Sequence, residues 1–79
     1  MLKVLTIRYA AHGDGRISAE VVGLPGVSVP LRKDKEEAER DVKAFALRRL
    51  AEDMKQGSLD AATMVFMFEE ERPKTEVVG

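Results

Sequence analysis

Apolar and polar residues alternate along the first third of the chain, and then the repeat lengthens. Over residues 2–9 the side chains of Leu5, Ile7 and Tyr9 share one side of a two-residue repeat, the mark of a strand buried on one face. Ile17, Ala19 and Val21 repeat it over residues 17–22, and Val27, Val29 and Leu31 over residues 27–31. His12-Gly13-Asp14-Gly15 separates the first two runs, and an Asp-Gly step suits the positive φ that hairpin turns need. Gly23-Leu24-Pro25-Gly26 breaks the second run. Pro30, inside the third, has no N–H to give to a ladder and marks that strand as a sheet edge.

Beyond Asp34 the repeat becomes helical. Ala38, Val42, Phe45, Ala46 and Leu50 form the main apolar stripe, with Leu47 and Met54 widening it on one flank. The stripe is broader than the roughly 100° that a core-facing helix needs, so a contact besides the sheet is expected on that flank. Asp34 and Glu37 have capping-box spacing, and Gly57 is a natural stop. Residues 58–62 read as a linker, and Met64-Val65-Phe66-Met67-Phe68 as a fourth strand. The domain is expected to span residues 1–69, with residues 70–79 a solvated tail.

Strand three, the helix and strand four form a βαβ unit, so those two strands should run parallel. Because Pro30 disfavours pairing at the edge of strand three, strand four is placed beside strand one. The predicted fold is α+β, a two-layer β-β-β-α-β arrangement with sheet order 3-2-1-4 and the helix on one face.

Composition narrows what such a fold can do. The chain has 79 residues, too few for a large core, and no cysteine, which removes disulfides, thiolate metal sites and a Cys nucleophile. Its single His makes no zinc site without converging carboxylates. Oligomerisation or very tight packing must then supply the missing stability. Thirteen basic and fourteen acidic residues give a net charge of −1, which offers no general attraction to nucleic acid or anionic lipid. No apolar run approaches the ~20 residues of a membrane span. Lys3 and Arg8 interrupt the first run as a signal-peptide core, so a cytoplasmic location is expected.

Candidate chemistry is sparse. His12 beside Asp14 is the one conventional acid–base pair, but no nucleophile stands at a recognisable spacing, and a solvated turn is the favoured reading. Arg32, Lys33 and Lys35 lack interleaved aromatics and are neutralised by Asp34, Glu36 and Glu37. Arg49 and Asp53 form an i,i+4 pair on ordinary helix surface. Glu69-Glu70-Glu71 suits either a basic partner or the protection of an apolar edge strand. No catalytic, cofactor-binding or metal-binding residue is proposed, and no enzyme activity is expected.

The fourth strand carries the most information. Five consecutive apolar residues put apolar groups on both faces, whereas one helix covers one face. Met64, Phe66 and Phe68, the bulkier set, are assigned to the core. Val65 and Met67 then point away from the helix, alongside Leu2, Val4 and Val22. These five residues are the expected oligomer or partner interface, and a homodimer is expected to form through that face or through the edge of strand four.

The order of elements and their turn residues resembles the N-terminal domain of HicB-like antitoxins over about residues 5–50. The resemblance rests on Asp14-Gly15 at the first hairpin and Ala19-Glu20-Val21 in the second strand. Leu24-Pro25-Gly26 closing that strand and Glu36-Glu37-Ala38 opening the helix complete it. It implies a non-catalytic domain that binds and masks a small basic RNA-cleaving toxin of the HicA type. The chain departs from that pattern in having Leu31-Arg32-Lys33 where Gly and Thr usually precede the helix, and one extra residue before Glu36. Too few residues follow strand four for the DNA-binding module that many members carry, so promoter binding is not expected. Two other readings of the same fold are a stand-alone structural or regulatory homodimer with no toxin partner, and a nucleic-acid-binding module, which the balanced charge disfavours.

Overall fold

A computed structural model describes residues 2–57 and 65–71. The elements run β1 (Leu2–Ala11), β2 (Ile17–Val22), β3 (Ser28–Arg32), α1 (Lys35–Lys55) and β4 (Val65–Glu70). They form one four-stranded sheet of order β3-β2-β1-β4 with the helix on one face, the predicted α+β architecture. β1 pairs antiparallel with β2, β2 antiparallel with β3, and β1 parallel with β4. β3 is an edge, as Pro30 requires.

Local chemistry explains the boundaries. Gly15, at φ 88°, takes the left-handed conformation that ends the β1–β2 turn, and its N–H donates to the His12 carbonyl at 2.9 Å. Asp34 caps the helix by accepting from the Glu37 N–H at 2.9 Å. The expected reciprocal bond lands one residue earlier, since Glu37 Oε1 accepts from the Lys33 N–H at 3.1 Å. At the other end the Gln56 and Gly57 N–H groups donate to Glu52 and Met54 carbonyls, with Gly57 at φ 81°. Asp34→Ala should lower stability by about 1 kcal/mol (range roughly 0.5–2), read as a fall in the urea midpoint at unchanged slope.

The core is assembled from one face of the β-meander and one line of the helix. Leu5, Ile7, Ala19, Val21, Val27 and Val29 meet Ala38, Val42, Ala46 and Leu50, and none of them is more than 4% exposed. The helical line is a strict i,i+4 series. Small residues at 38 and 46 let the backbone settle closely on β2 and β3, the strands over which the helix lies.

Several sequence expectations are corrected. Phe45 does not belong to the buried stripe: it is 37% exposed. It lies about 100° around the helix from Ala46, turned toward Gly26 and Val27, with the Arg48 guanidinium 5.8 Å from its ring centre. β1 runs two residues further than predicted, to Ala11, and β3 is shifted one residue along. β4 continues two residues past the predicted end at Phe68, through Glu69 and Glu70, so Glu70 belongs to the sheet and not to the expected tail. The Glu71 N–H extends the ladder, donating to the Ile7 carbonyl at 2.8 Å. Phe66 and Phe68 do face the helix side, but they are half-buried and pack against the core's rim because the helix lies over the opposite half of the sheet. Met64, the linker and residues 72–79 lie outside the described residues.

Candidate functional site

The sheet face turned away from the helix divides into an apolar half and a charged half. Leu2 stands beside Val65 and Val4 beside Met67 across the parallel β1–β4 ladder, while Val22 lies opposite Thr6 on the β2 side. Exposures are 55% for Leu2, 43% for Val4, 39% for Val22, 61% for Val65 and 46% for Met67. All five residues singled out from the sequence therefore share one face, and four of them form a two-by-two block at one end of β1 and β4. Neighbours on adjacent strands sit about 5 Å apart, so the block is contiguous. Exposed apolar side chains are common singly, but a contiguous row is not.

The charged half begins where the apolar half stops. Thr6 Oγ1 donates to Glu69 at 3.3 Å. Arg8 donates to Glu71 through Nε at 2.9 Å and to Glu20 through Nη1 at 3.2 Å. The acidic run read from the sequence is thus tied down side chain by side chain. Glu70, on the opposite face, meets Lys35 Nζ at 2.8 Å.

That last pair belongs to a feature the sequence reading missed. On the helix side, Tyr9, Lys35, Glu39, Lys43, Phe68 and Glu70 line a cleft of about 140 Å³ between the helix and the β1–β4 half of the sheet. Lys35 Nζ lies 4.9 Å from the centre of the Tyr9 ring and Lys43 Nζ 5.4 Å from that of Phe68. Lys43 also meets Glu39 at 2.7 Å. The signal was the i,i+4 series Lys35, Glu39, Lys43, which runs beside the buried line and reaches back over rings the helix leaves half-covered.

Desolvation in this cleft, followed by the charges of Glu39 and Glu70, pushes the Tyr9 phenol up to about 12. A group whose folded pKa is raised contributes stability that is complete below its unfolded value, near 10 for Tyr. That contribution disappears as the pH rises toward the folded value. Tyr9 is the one tyrosine and the chain has no tryptophan, so its phenolate absorbance should titrate near 12 in the folded protein and near 10 in urea. Tyr9→Phe should remove that part of the alkaline loss of stability.

The other candidates resolve into structural pairs. His12 Nε2 lies 3.1 Å from Ser18 Oγ. Asp14 turns to Arg16, whose side-chain and backbone hydrogen bonds hold the carboxyl below its usual range. No His12–Asp14 hydrogen bond is formed, so the geometry does not orient an acid–base couple. Arg32 and Lys35, two of the three cations at the helix start, are bound to Asp41 and Glu70. The Arg32 bond comes first among the causes that lower the Asp41 pKa. Arg49 meets Asp53 at 3.5 Å, the expected helical pair, and adds a bond to the Pro25 carbonyl at 3.1 Å. Among the described residues no group of three His, Cys, Asp or Glu side chains is placed to hold a metal, and no helix is long and apolar enough to cross a membrane.

Comparison of the chain with protein-family models, with curated proteins and with solved structures gives no match in any of the three.

Proposed function

We propose that the protein is a non-catalytic protein–protein interaction domain. It self-associates through the apolar part of its sheet and, as the HicB-like resemblance implies, acts as an antitoxin that masks a small basic RNA-cleaving toxin. The observation that supports it is the contiguous exposed block of Leu2, Val4, Val65 and Met67, continued by Val22. Fully burying a side chain of this kind contributes about 1.5–3 kcal/mol, and a domain this small gains much from that. Arg8, Arg32, Lys35 and Lys43 are each paired with a carboxylate, and the net charge of −1 offers no general attraction to a nucleic acid.

One observation favours a second reading, a stand-alone homodimer with no toxin partner. Glu69, Glu70 and Glu71 would be natural contacts for a basic toxin, and their carboxylates already bind Thr6, Lys35 and Arg8.

Light scattering at micromolar concentration should give twice the mass of one chain, and a clean monomer would remove the self-association. The toxin role is tested by co-expression with a small basic protein encoded beside this chain. Co-purification and loss of that protein's RNA cleavage are expected. A neighbour that cleaves RNA equally well in the presence of this domain would leave the stand-alone reading.

A further inference from the structure

We propose that the outer edge of β4 pairs antiparallel with the same edge of a second copy, about a two-fold axis at Met67, joining two four-stranded sheets into one of eight strands. The proposal rests on the self-association inferred above and specifies its geometry.

The direction of the backbone groups comes first. The Glu71 N–H donates to the Ile7 carbonyl. Backbone groups alternate in direction along a strand, so residues 65, 67, 69 and 71 turn theirs toward β1. Phe66, Phe68 and Glu70 then direct N–H and C=O outward, away from the sheet. This row has no neighbouring strand among the described residues, and such a row is a template for another chain.

The two edges of the sheet are built differently. β3 is short, carries Pro30, pairs with β2 through a register shift, and runs into Arg32 and Lys33. Each of these features discourages further pairing. Between Val65 and Phe68, β4 has no charge, proline or glycine.

Exposure on both sides of β4 selects the edge over the face. Val65 and Met67 are open on one side, and Phe66 and Phe68 half-open on the other. A lid on the helix-free face would leave both phenylalanines as they are. A strand laid alongside flanks all four residues.

Charge identifies the occupant. Glu70 and Glu71 are paired with Lys35 and Arg8 and Glu69 accepts from the Thr6 hydroxyl, so the acidic charge is confined to the C-terminal end of the strand and residues 65–68 offer a basic strand no charge to meet. The complement of what remains is a neutral apolar strand, and β4 is itself such a strand. With the axis at Met67, Phe66 lies opposite the partner's Phe68 in a hydrogen-bonded pair, twice over. Met67 meets the partner's Met67 in the closer, non-hydrogen-bonded position. Antiparallel pairing also puts the acidic ends of the two strands about 13 Å apart, at four residues of roughly 3.3 Å. In-register parallel pairing would stack Glu69 on Glu69.

The chain contains no cysteine, so a single introduced thiol reports the geometry. In a non-hydrogen-bonded pair the Cα atoms are about 4.5 Å apart, inside the range a disulfide spans. Met67→Cys should therefore cross-link to a covalent dimer in most of the protein under mild oxidation. Val4→Cys should not, because the two copies of β1 stand three strand spacings apart, about 14 Å, beyond the ~7 Å limit for a disulfide. Cross-linking through Val4→Cys, with or without Met67→Cys, would show sheet faces packed together and overturn the edge pairing while leaving self-association intact. A doubled mass with neither variant cross-linked would also overturn it. A monomeric mass for the unmodified chain would remove both proposals.

Discussion

Val42→Asp should leave the protein unfolded at room temperature. Val42 is wholly buried in the middle of the helical line that meets β2 and β3. The substitution loses the valine's burial, about 1.5–3 kcal/mol. It also puts a carboxylate into a core that contains no buried polar or charged residue among the described residues. A buried unpaired charge costs several kcal/mol more, even when the group escapes part of the penalty by taking a proton. Against a total stability of about 4–12 kcal/mol, from roughly 0.05–0.15 per residue, that is enough to remove the folded state. Circular dichroism should show loss of the helical signal. Retention of a cooperative thermal transition near that of the parent would contradict the packing described.

Met67→Lys is expected to give the opposite outcome: a folded monomer. In one chain Met67 is already 46% exposed beside Val4 and Val65, so a lysine there changes stability by less than about 0.5 kcal/mol. At the self-associating surface the same lysine would sit against its own copy. Across the paired edges the two lysines would stand opposite each other with Cα atoms about 4.5 Å apart, and the like charges with the lost apolar contact cost about 1–2 kcal/mol, which weakens association roughly tenfold. Light scattering should fall toward a single chain's mass with the helical signal retained. Phe66→Lys is the useful contrast. Phe66 packs on the rim of the core, so lysine should lower the melting temperature, while its stem still covers part of the same surface. If Met67→Lys unfolds the chain and Phe66→Lys only dissociates it, the facing of β4 is reversed.

Both expectations depend on features that were unequally legible in the sequence. Strand alternation and the Asp-Gly and Leu-Pro-Gly breaks located β1 to β3. The Asp34 cap and Gly57 stop bounded the helix, and Pro30 ordered the sheet. The five apolar positions on the helix-free face followed from parity alone, because side chains alternate along a regular strand. What the pattern does not carry is the lateral position of the helix. Phe45 reads as part of the buried stripe because hydrophobicity says nothing about where the helix axis sits. With the axis over β2 and β3, Ala46 takes the contact and Phe45 is left at the margin. The same displacement opens the cleft that Lys35 and Lys43 cover, and half-uncovers Phe66 and Phe68. The acidic run reads as tail because its partners, Thr6, Arg8 and Lys35, lie far away in sequence.

The absence of any β4 residue from the fully buried set bears on the order in which the chain folds and opens. β1, β2, β3 and α1 follow one another with short connections and already bring together every buried side chain among the described residues. β4 must return across the sheet to the opposite end of the chain, closing a loop whose contacts span more than sixty positions, as in Thr6 to Glu69. Long closures are completed late and β4 adds no fully buried side chain, so its amides should exchange hydrogen before those of the meander. When it leaves, the outer side of β1 is bare, and a β4 from another molecule fits that vacancy in the same register. The arrangement that completes the monomer also provides a route to exchanging strands between molecules, and slow mixing of isotope-labelled with unlabelled protein would record it.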